Sequence, residues 1–227
     1  MYKACIFDLD GTLTDTLESL TYSVNATLQE LQLPCITKEQ CRDFVGNGAR
    51  YLIEQAVKAA NGILNNEQNI DHAYIDSAMK IYGRIFGQYC TYHVKPYEGI
   101  IEMLAKLKAS GFQLAVLSNK PHAQTVDVVS MFFGNDTFSY VQGQMEGIPR
   151  KPNPMAAILL SEKMSSVPQE CIYIGDSEVD MKTARAAGMT SVGVTWGFRS
   201  RKVLEENGAE HLADRPEQLV ELFCRTN

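Results

Sequence analysis

Residues 4–15 read Ala4-Cys5-Ile6-Phe7-Asp8-Leu9-Asp10-Gly11-Thr12-Leu13-Thr14-Asp15. The apolar run Ala4 to Phe7 predicts a buried strand, and it stops at two aspartates one residue apart. Gly11 turns the backbone, with Thr12 beside it. In an open parallel α/β sheet, ligands bind at the carboxyl ends of the strands. Two carboxylates leaving a strand there repel one another unless a cation or an electron-poor substrate lies between them. Magnesium takes few protein carboxylates and usually shares its shell with substrate phosphate oxygens. An aspartate can itself be a nucleophile toward phosphorus. Taken as an isolated pair, Asp8 and Asp10 would equally serve as turn and N-cap residues.

Outward from this stretch the period becomes helical. Leu17, Leu20, Val24, Leu28 and Leu31 line one face of a segment that Pro34 closes. Short helices follow at Lys38–Phe44 and Tyr51–Ala60, separated by the turn Gly46-Asn47-Gly48. A longer helix is predicted from Glu67 to His93, with Met79, Tyr82, Ile85, Phe86 and Tyr89 on one face. No strand is expected between residues 15 and 95. From Pro96 onward strands and helices alternate, with strands at Gln113–Leu117, Tyr140–Gln142, Cys171–Ile174, Thr190–Thr195 and His211–Ala213. That alternation implies a parallel sheet with right-handed crossovers. The expected fold is therefore α/β: a Rossmann-like parallel sheet core with an inserted all-helical domain. The core takes residues 1–14 and 96–227, and the insertion residues 15–95.

Three further strand ends carry polar groups. The first is Leu117-Ser118-Asn119-Lys120, a hydroxyl and an amide suited to a phosphate oxygen. The second is Arg150-Lys151-Pro152-Asn153-Pro154, where an ammonium can balance an aspartate and a phosphate, and the prolines suit the start of a helix. The third is Ile174-Gly175-Asp176-Ser177-Glu178-Val179-Asp180, with Asp180 one helical turn beyond Asp176. Each has a plain structural alternative: a turn, a solvated lysine, a helix cap.

All four pieces, in this order and each after the right element, resemble the four motifs of the haloacid-dehalogenase-like hydrolases. These are mainly magnesium-dependent phosphatases that pass through an aspartyl-phosphate. The resemblance implies that Asp8 is nucleophile and metal ligand. Asp10 would be the acid and then the base, with its backbone carbonyl on the metal. Ser118 would bind the phosphoryl group, Lys151 would steady Asp8 and the transferred charge, and Asp176 would bind magnesium, with Asp180 an outer or alternative ligand. Gly11, Thr12 and Asn119 complete the expected phosphate cradle. The helical insertion resembles a type 1 cap. With Gly46-Asn47-Gly48, Ser-Asn-Lys-Pro, Lys-Pro-Asn-Pro and Gly-Val-Thr-Trp-Gly, the chain looks like phosphoglycolate phosphatases and their close relatives. The resemblance implies that Gly46, Asn47 and Arg50 lie on a cap loop reaching the substrate, where Arg50 would pair with a second anion.

Other enzymes of this scaffold stay open at this stage: a sugar-phosphate or nucleotide phosphatase, a pyrophosphatase, or a β-phosphoglucomutase. So does a phosphate-binding regulatory protein without activity. A true dehalogenase is disfavoured, since those enzymes lack the second aspartate that Asp10 supplies.

Composition bounds the partners. The chain has 227 residues, 45% hydrophobic and 21% charged, with a formal charge of −6. That balance provides no basic stripe for nucleic acid. No apolar run approaches a membrane span. Six cysteines are scattered without metal spacing, and Met1-Tyr2-Lys3 leads straight into the first strand without a signal peptide. The expected setting is a reducing cytoplasm, and the expected partner a small phosphorylated metabolite bound by a monomer or homodimer.

Overall fold

A computed structural model describes residues 2–64 and 70–224. The chain divides into two compact units, one of Met1–Asp15 with Lys95–Asn227 and one of Thr16–Val94.

In the first unit, strand β1 (Ala4–Phe7) is wholly buried, as its unbroken apolar run requires of a strand covered on both faces. The short strand β2 (Thr14–Asp15) ends this opening stretch. The second unit then supplies four helices: α1 (Leu17–Glu30), α2 (Lys38–Phe44), α3 (Ala49–Ala60) and α4 (His72–Tyr89). The chain returns to the first unit with β3 (Lys95–Pro96), which pairs antiparallel with β2. These two-residue strands were not expected, because two residues are too few to show any period.

Next come α5 (Ile100–Ala109), β4 (Gln113–Pro121), α6 (His122–Phe133), β5 (Tyr140–Gln144) and α7 (Met155–Lys163). The chain finishes with β6 (Cys171–Gly175), α8 (Glu178–Ala187), β7 (Thr190–Val194), α9 (Arg201–Glu206), β8 (His211–Ala213) and α10 (Glu217–Phe223).

The main sheet has six strands in the order β5-β4-β1-β6-β7-β8, and every pairing in it is parallel. The expected α/β class is thus what the chain forms. From β1 the chain builds outward on one side through β4 and β5. It then crosses to the other side of β1 for β6, β7 and β8. The reversal falls at β1, so the carboxyl end of β1 is the topological switch point where such sheets open a crevice.

Register brings the strand ends level. Phe7 lies opposite Val116 of β4 and Ile174 of β6. On one face of the sheet Ala4, Ile6, Ala115, Leu117, Cys171 and Tyr173 pack on Ala156, Ala157 and Leu160 of α7 and Ala184 and Ala187 of α8. The alanines let the helices approach closely, and each large side chain fully buried here contributes about 1.5–3 kcal/mol.

β4 runs four residues past the expected stop at Leu117, and β5 two past Gln142. Their pairing shifts register between Leu117 and Pro121. Ser118, Asn119 and Lys120 occupy that irregularity, which re-aims side chains as bulges do.

The helical unit is held by its own core: Leu20, Val24 and Leu28 of α1, Leu52, Ile53 and Val57 of α3, and Ile75, Tyr82, Ile85 and Phe86 of α4. The predicted α1 face is buried at its centre, while Leu17 and Leu31 at its ends are half-buried. Thr37 and Gln40 form a reciprocal capping box that starts α2. The expected start of the long helix at Glu67 lies outside the described residues. The observed α4 begins at His72, where the Asp71 carboxylate accepts from the Ala73 N–H, and ends at Tyr89 rather than His93. Among the described residues, no helix is long and apolar enough to cross a membrane.

Candidate active site

The site assembles at the switch point. Asp8 follows β1 directly, and its N–H donates to the Ile174 carbonyl of β6 at 2.9 Å. The Lys151 ammonium lies 3.0 Å from Asp8 Oδ1 and 2.7 Å from Asp180 Oδ1, with its side chain 2% exposed. Asp8 Oδ1 also accepts the Leu9 N–H at 2.7 Å. Both contacts fall on Oδ1, which leaves Oδ2 as the oxygen to present to a substrate.

Asp176 lies just beyond β6 and is held from two sides. The Thr12 hydroxyl donates to its Oδ1 at 3.2 Å and the Phe198 N–H to its Oδ2 at 2.7 Å. Asp180 uses both oxygens within the protein. Oδ1 meets Lys151, and Oδ2 accepts from the Ser177 N–H and hydroxyl at 3.1 and 2.6 Å. Ser177 caps α8 reciprocally with Asp180, so the residue that starts the helix also anchors the ammonium.

Asp8, Asp176 and Asp180, all buried, offer oxygens within 4.8 Å of one another. Crowding buried carboxylates together has an electrostatic cost, and it shows at Asp8 and Asp176. Burial, opposed by Lys151 and reinforced by Asp180 and Asp10, pushes Asp8 up to about 7. Burial, with Asp180 and Asp8, holds Asp176 well above the usual carboxylate range despite the Phe198 N–H and Arg199. For Lys151, burial pulls downward, but Asp180 and then Asp8 overcome it and hold the ammonium well above its ordinary value. An all-oxygen donor set with excess buried negative charge fits a hard divalent cation. Asp8 and Asp176 are the better ligands of the three, since each Asp176 oxygen accepts one neutral hydrogen bond, whereas Asp180 gives Oδ1 to the Lys151 ammonium and Oδ2 to two donors from Ser177.

The remaining expected residues separate into those that join this cluster and those that do not. Asp10 lies apart from the three carboxylates, with its Oδ1 2.8 Å from the Lys120 ammonium. Ser118 is buried, and its hydroxyl oxygen accepts the Lys120 N–H at 3.3 Å. Asn119 was expected to face a phosphate. Instead its amide clamps the loop that carries Lys151, donating to the Lys151 carbonyl at 3.1 Å and accepting the Lys151 N–H at 2.9 Å. It is a short side chain at a strand end, and the neighbouring loop offers a complete peptide unit.

In the helical unit Arg50 does not hold out an open guanidinium. It pairs with Glu54 at 3.1 Å and Asp76 at 2.6 Å, one on its own helix and one on α4. One of these acids is a helical turn away and the other distant in sequence, so the guanidinium expected to meet a substrate anion has two carboxylates beside it. Gly46 and Gly48 take positive φ in the turn that starts α3, while Asn47 stands between them half-buried.

Sequence reading missed the loop after β7. The Trp196 Nε1–H donates to the Thr12 carbonyl at 2.9 Å, bracing the turn that contains Gly11 and Thr12. A Cβ at Gly197 would lie 2.3 Å from the Asp176 Cβ and 2.4 Å from the Gly11 carbonyl oxygen. Gly11 has φ +83°, and a Cβ there would meet Asp176 Oδ2 at 2.3 Å. Two glycines therefore pack against one carboxylate from opposite loops. The available signal was an apolar strand ending in Trp196-Gly197-Phe198 at the sheet's ligand-binding edge. We expect Gly197→Ala to displace the loop, break the Phe198 to Asp176 hydrogen bond and destabilise the protein by about 1–3 kcal/mol, the usual range for overpacking. A urea melt with an unchanged midpoint would contradict this.

A family model described as haloacid dehalogenase-like hydrolase matches residues 5–194. The chain belongs to the haloacid dehalogenase-like hydrolases. Among curated relatives of this hydrolase, the phosphoglycolate phosphatase of Colwellia psychrerythraea is 30% identical over 218 residues, covering 96% of this chain and 95% of the relative. That of Thiobacillus denitrificans is 32% identical, covering 89% and 88%. A solved structure of a predicted phosphoglycolate phosphatase from Haemophilus somnus superposes with a TM-score of 0.88 at 28% identity, covering 97% of each chain. The matches cover most of the hydrolase and of each relative, so the similarity takes in both units.

Proposed function

We propose that this hydrolase is a magnesium-dependent phosphatase. It would cleave a small phosphate monoester of the phosphoglycolate kind by way of an aspartyl-phosphate on Asp8. The observation that supports this most is the Lys151 ammonium shared between Asp8 and Asp180 beside Asp176. A purely structural ion pair would not need a third buried carboxylate at a strand end.

Asp8 and Asp176 would hold magnesium, with the Asp10 backbone carbonyl as a further oxygen. Bound there, magnesium supplies positive charge against the phosphoryl oxygens. Asp8 Oδ2 attacks phosphorus, forming an acyl phosphate as the ester P–O bond breaks. Asp10 donates its proton to the departing alkoxide oxygen, then takes a proton from the water that attacks the acyl phosphate. That second attack releases inorganic phosphate and restores the Asp8 carboxylate. Lys151 and the Ser118 hydroxyl stabilise charge on the transferred group, which is the main catalytic task in phosphoryl transfer.

The test is phosphate release from 2-phosphoglycolate and p-nitrophenyl phosphate with magnesium present. Release is expected from both, lost on adding EDTA and regained with excess magnesium. No release from either ester would end this reading.

Metal binding should also register without turnover. Asp8 sits at about 7 in the metal-free protein, above the ordinary 3.8. Its contribution to stability is therefore full below the unfolded value and disappears as pH rises through about 7. Magnesium favours the ionised form and opposes that loss. The magnesium-induced rise in Tm is expected to be larger at pH 8 than at pH 6. A shift independent of pH would count against Asp8 as a ligand.

A further inference from the structure

We propose that Lys120 reads the leaving group of the substrate, selecting phosphate esters whose alcohol carries a carboxylate close to the ester oxygen. The inference rests on the phosphatase reading above and assigns its specificity to a residue of the first unit.

Lys120 is a buried lysine, and such residues are uncommon without a charge to meet. Its side chain is 1% exposed and ends 2.8 Å from Asp10 Oδ1. The backbone leaves it little freedom. Its N–H donates to the Ser118 hydroxyl oxygen and its carbonyl accepts from the Thr125 hydroxyl, each at 3.3 Å. A Cβ at Gly143 on β5 would lie 2.8 Å from that same carbonyl, so the neighbouring strand presses against it.

An acid that protonates a leaving oxygen lies in hydrogen-bond contact with it, about 2.6–3.2 Å away. The ammonium faces Asp10 Oδ1, so the proton would be given from Oδ2, and the ammonium then lies within roughly 8 Å of the leaving oxygen. A carboxylate one carbon removed from the ester oxygen stays within that range in every conformation, whereas an anion on a long flexible chain is not held there.

The two buried lysines thus face different parts of the substrate. Lys151 lies against the nucleophile, where the phosphoryl group transfers, and Lys120 lies against the residue that meets the departing oxygen. An anion on the leaving group would share Lys120 with Asp10.

The experiment compares kcat/KM for 2-phosphoglycolate and for its carboxamide, 2-amino-2-oxoethyl phosphate, which has the same size without the charge. Wild type is expected to prefer the acid by about 10- to 100-fold, the range for a hydrogen bond to a charged group. Lys120→Met should erase the preference, and Lys120→Arg should retain most of it. Equal turnover of acid and amide by wild type would overturn the proposal without any variant. So would a Lys120→Met loss that is equal on both esters, since the ammonium would then only orient Asp10. Wild-type release of phosphate from p-nitrophenyl phosphate, seen alongside either result, would leave the phosphatase reading standing while this inference fell.

Discussion

Asp8→Asn is expected to lower kcat by on the order of 10⁴–10⁶, the scale on which loss of a nucleophile is felt, while the protein still folds. The geometry explains why both should hold. The Lys151 ammonium and the Leu9 N–H both point at Oδ1, so an amide oxygen can take that place. The amide nitrogen then replaces Oδ2, which is the atom needed for attack. Lys151 retains Asp180 at 2.7 Å, so it is not stranded. Folding is further helped because one of the crowded buried carboxylates becomes neutral. The checks are single-turnover phosphate release and thermal melting of the metal-free protein. A variant that turned over at the wild-type rate would remove Asp8 from its role.

Lys151→Met is expected to damage both stability and activity. The side chain is 2% exposed and neutralises two buried carboxylates at once. Removing one member of a buried ion pair typically costs about 3–5 kcal/mol, because the partner charge is left without compensation. Asp8, which the ammonium holds down against burial, would then bind its proton more tightly, and the deficit should grow as pH rises. Loss of charge stabilisation at the transferred group adds a fall in kcat of roughly 10²–10³. Denaturant melts from pH 5 to pH 8 test the first part. A variant as stable as wild type at pH 8 would show that the ammonium does not neutralise the cluster.

The strands that position the site were legible because each is an apolar run interrupted by polar residues where the backbone leaves the sheet. Asp8 after Phe7 and Asp176 after Gly175 follow from that pattern alone. What could not be read was which partner each polar group would take. Lys120 reaches across 110 positions in sequence to Asp10, and the Phe198 N–H reaches back 22 to Asp176. Such pairings depend on strand order, which hydrophobic period does not encode. Lys120 and Trp196-Gly197 stood in quoted motifs but had no assigned part for the same reason. Arg50 illustrates the converse: an acid on α4 occupies it, and no local spacing announces that acid. The β4 extension escaped notice because polar Ser118-Asn119-Lys120 mimics a strand end while the pairing continues through a register shift.

The position of β1 has a consequence for how the molecule opens. Asp8 hangs from a strand with neighbours on both sides, paired through residues about 110 positions away in β4 and about 167 away in β6. The buried carboxylate cluster can therefore form only after contacts of long sequence separation have closed. By the same geometry, the outermost strands β5 and β8 can detach without releasing Asp8, Asp176 or Asp180. Amide protons of β1 should exchange only through global unfolding, while those of β8 exchange by local fraying. Asp8 is mounted on the last part of the sheet to come undone.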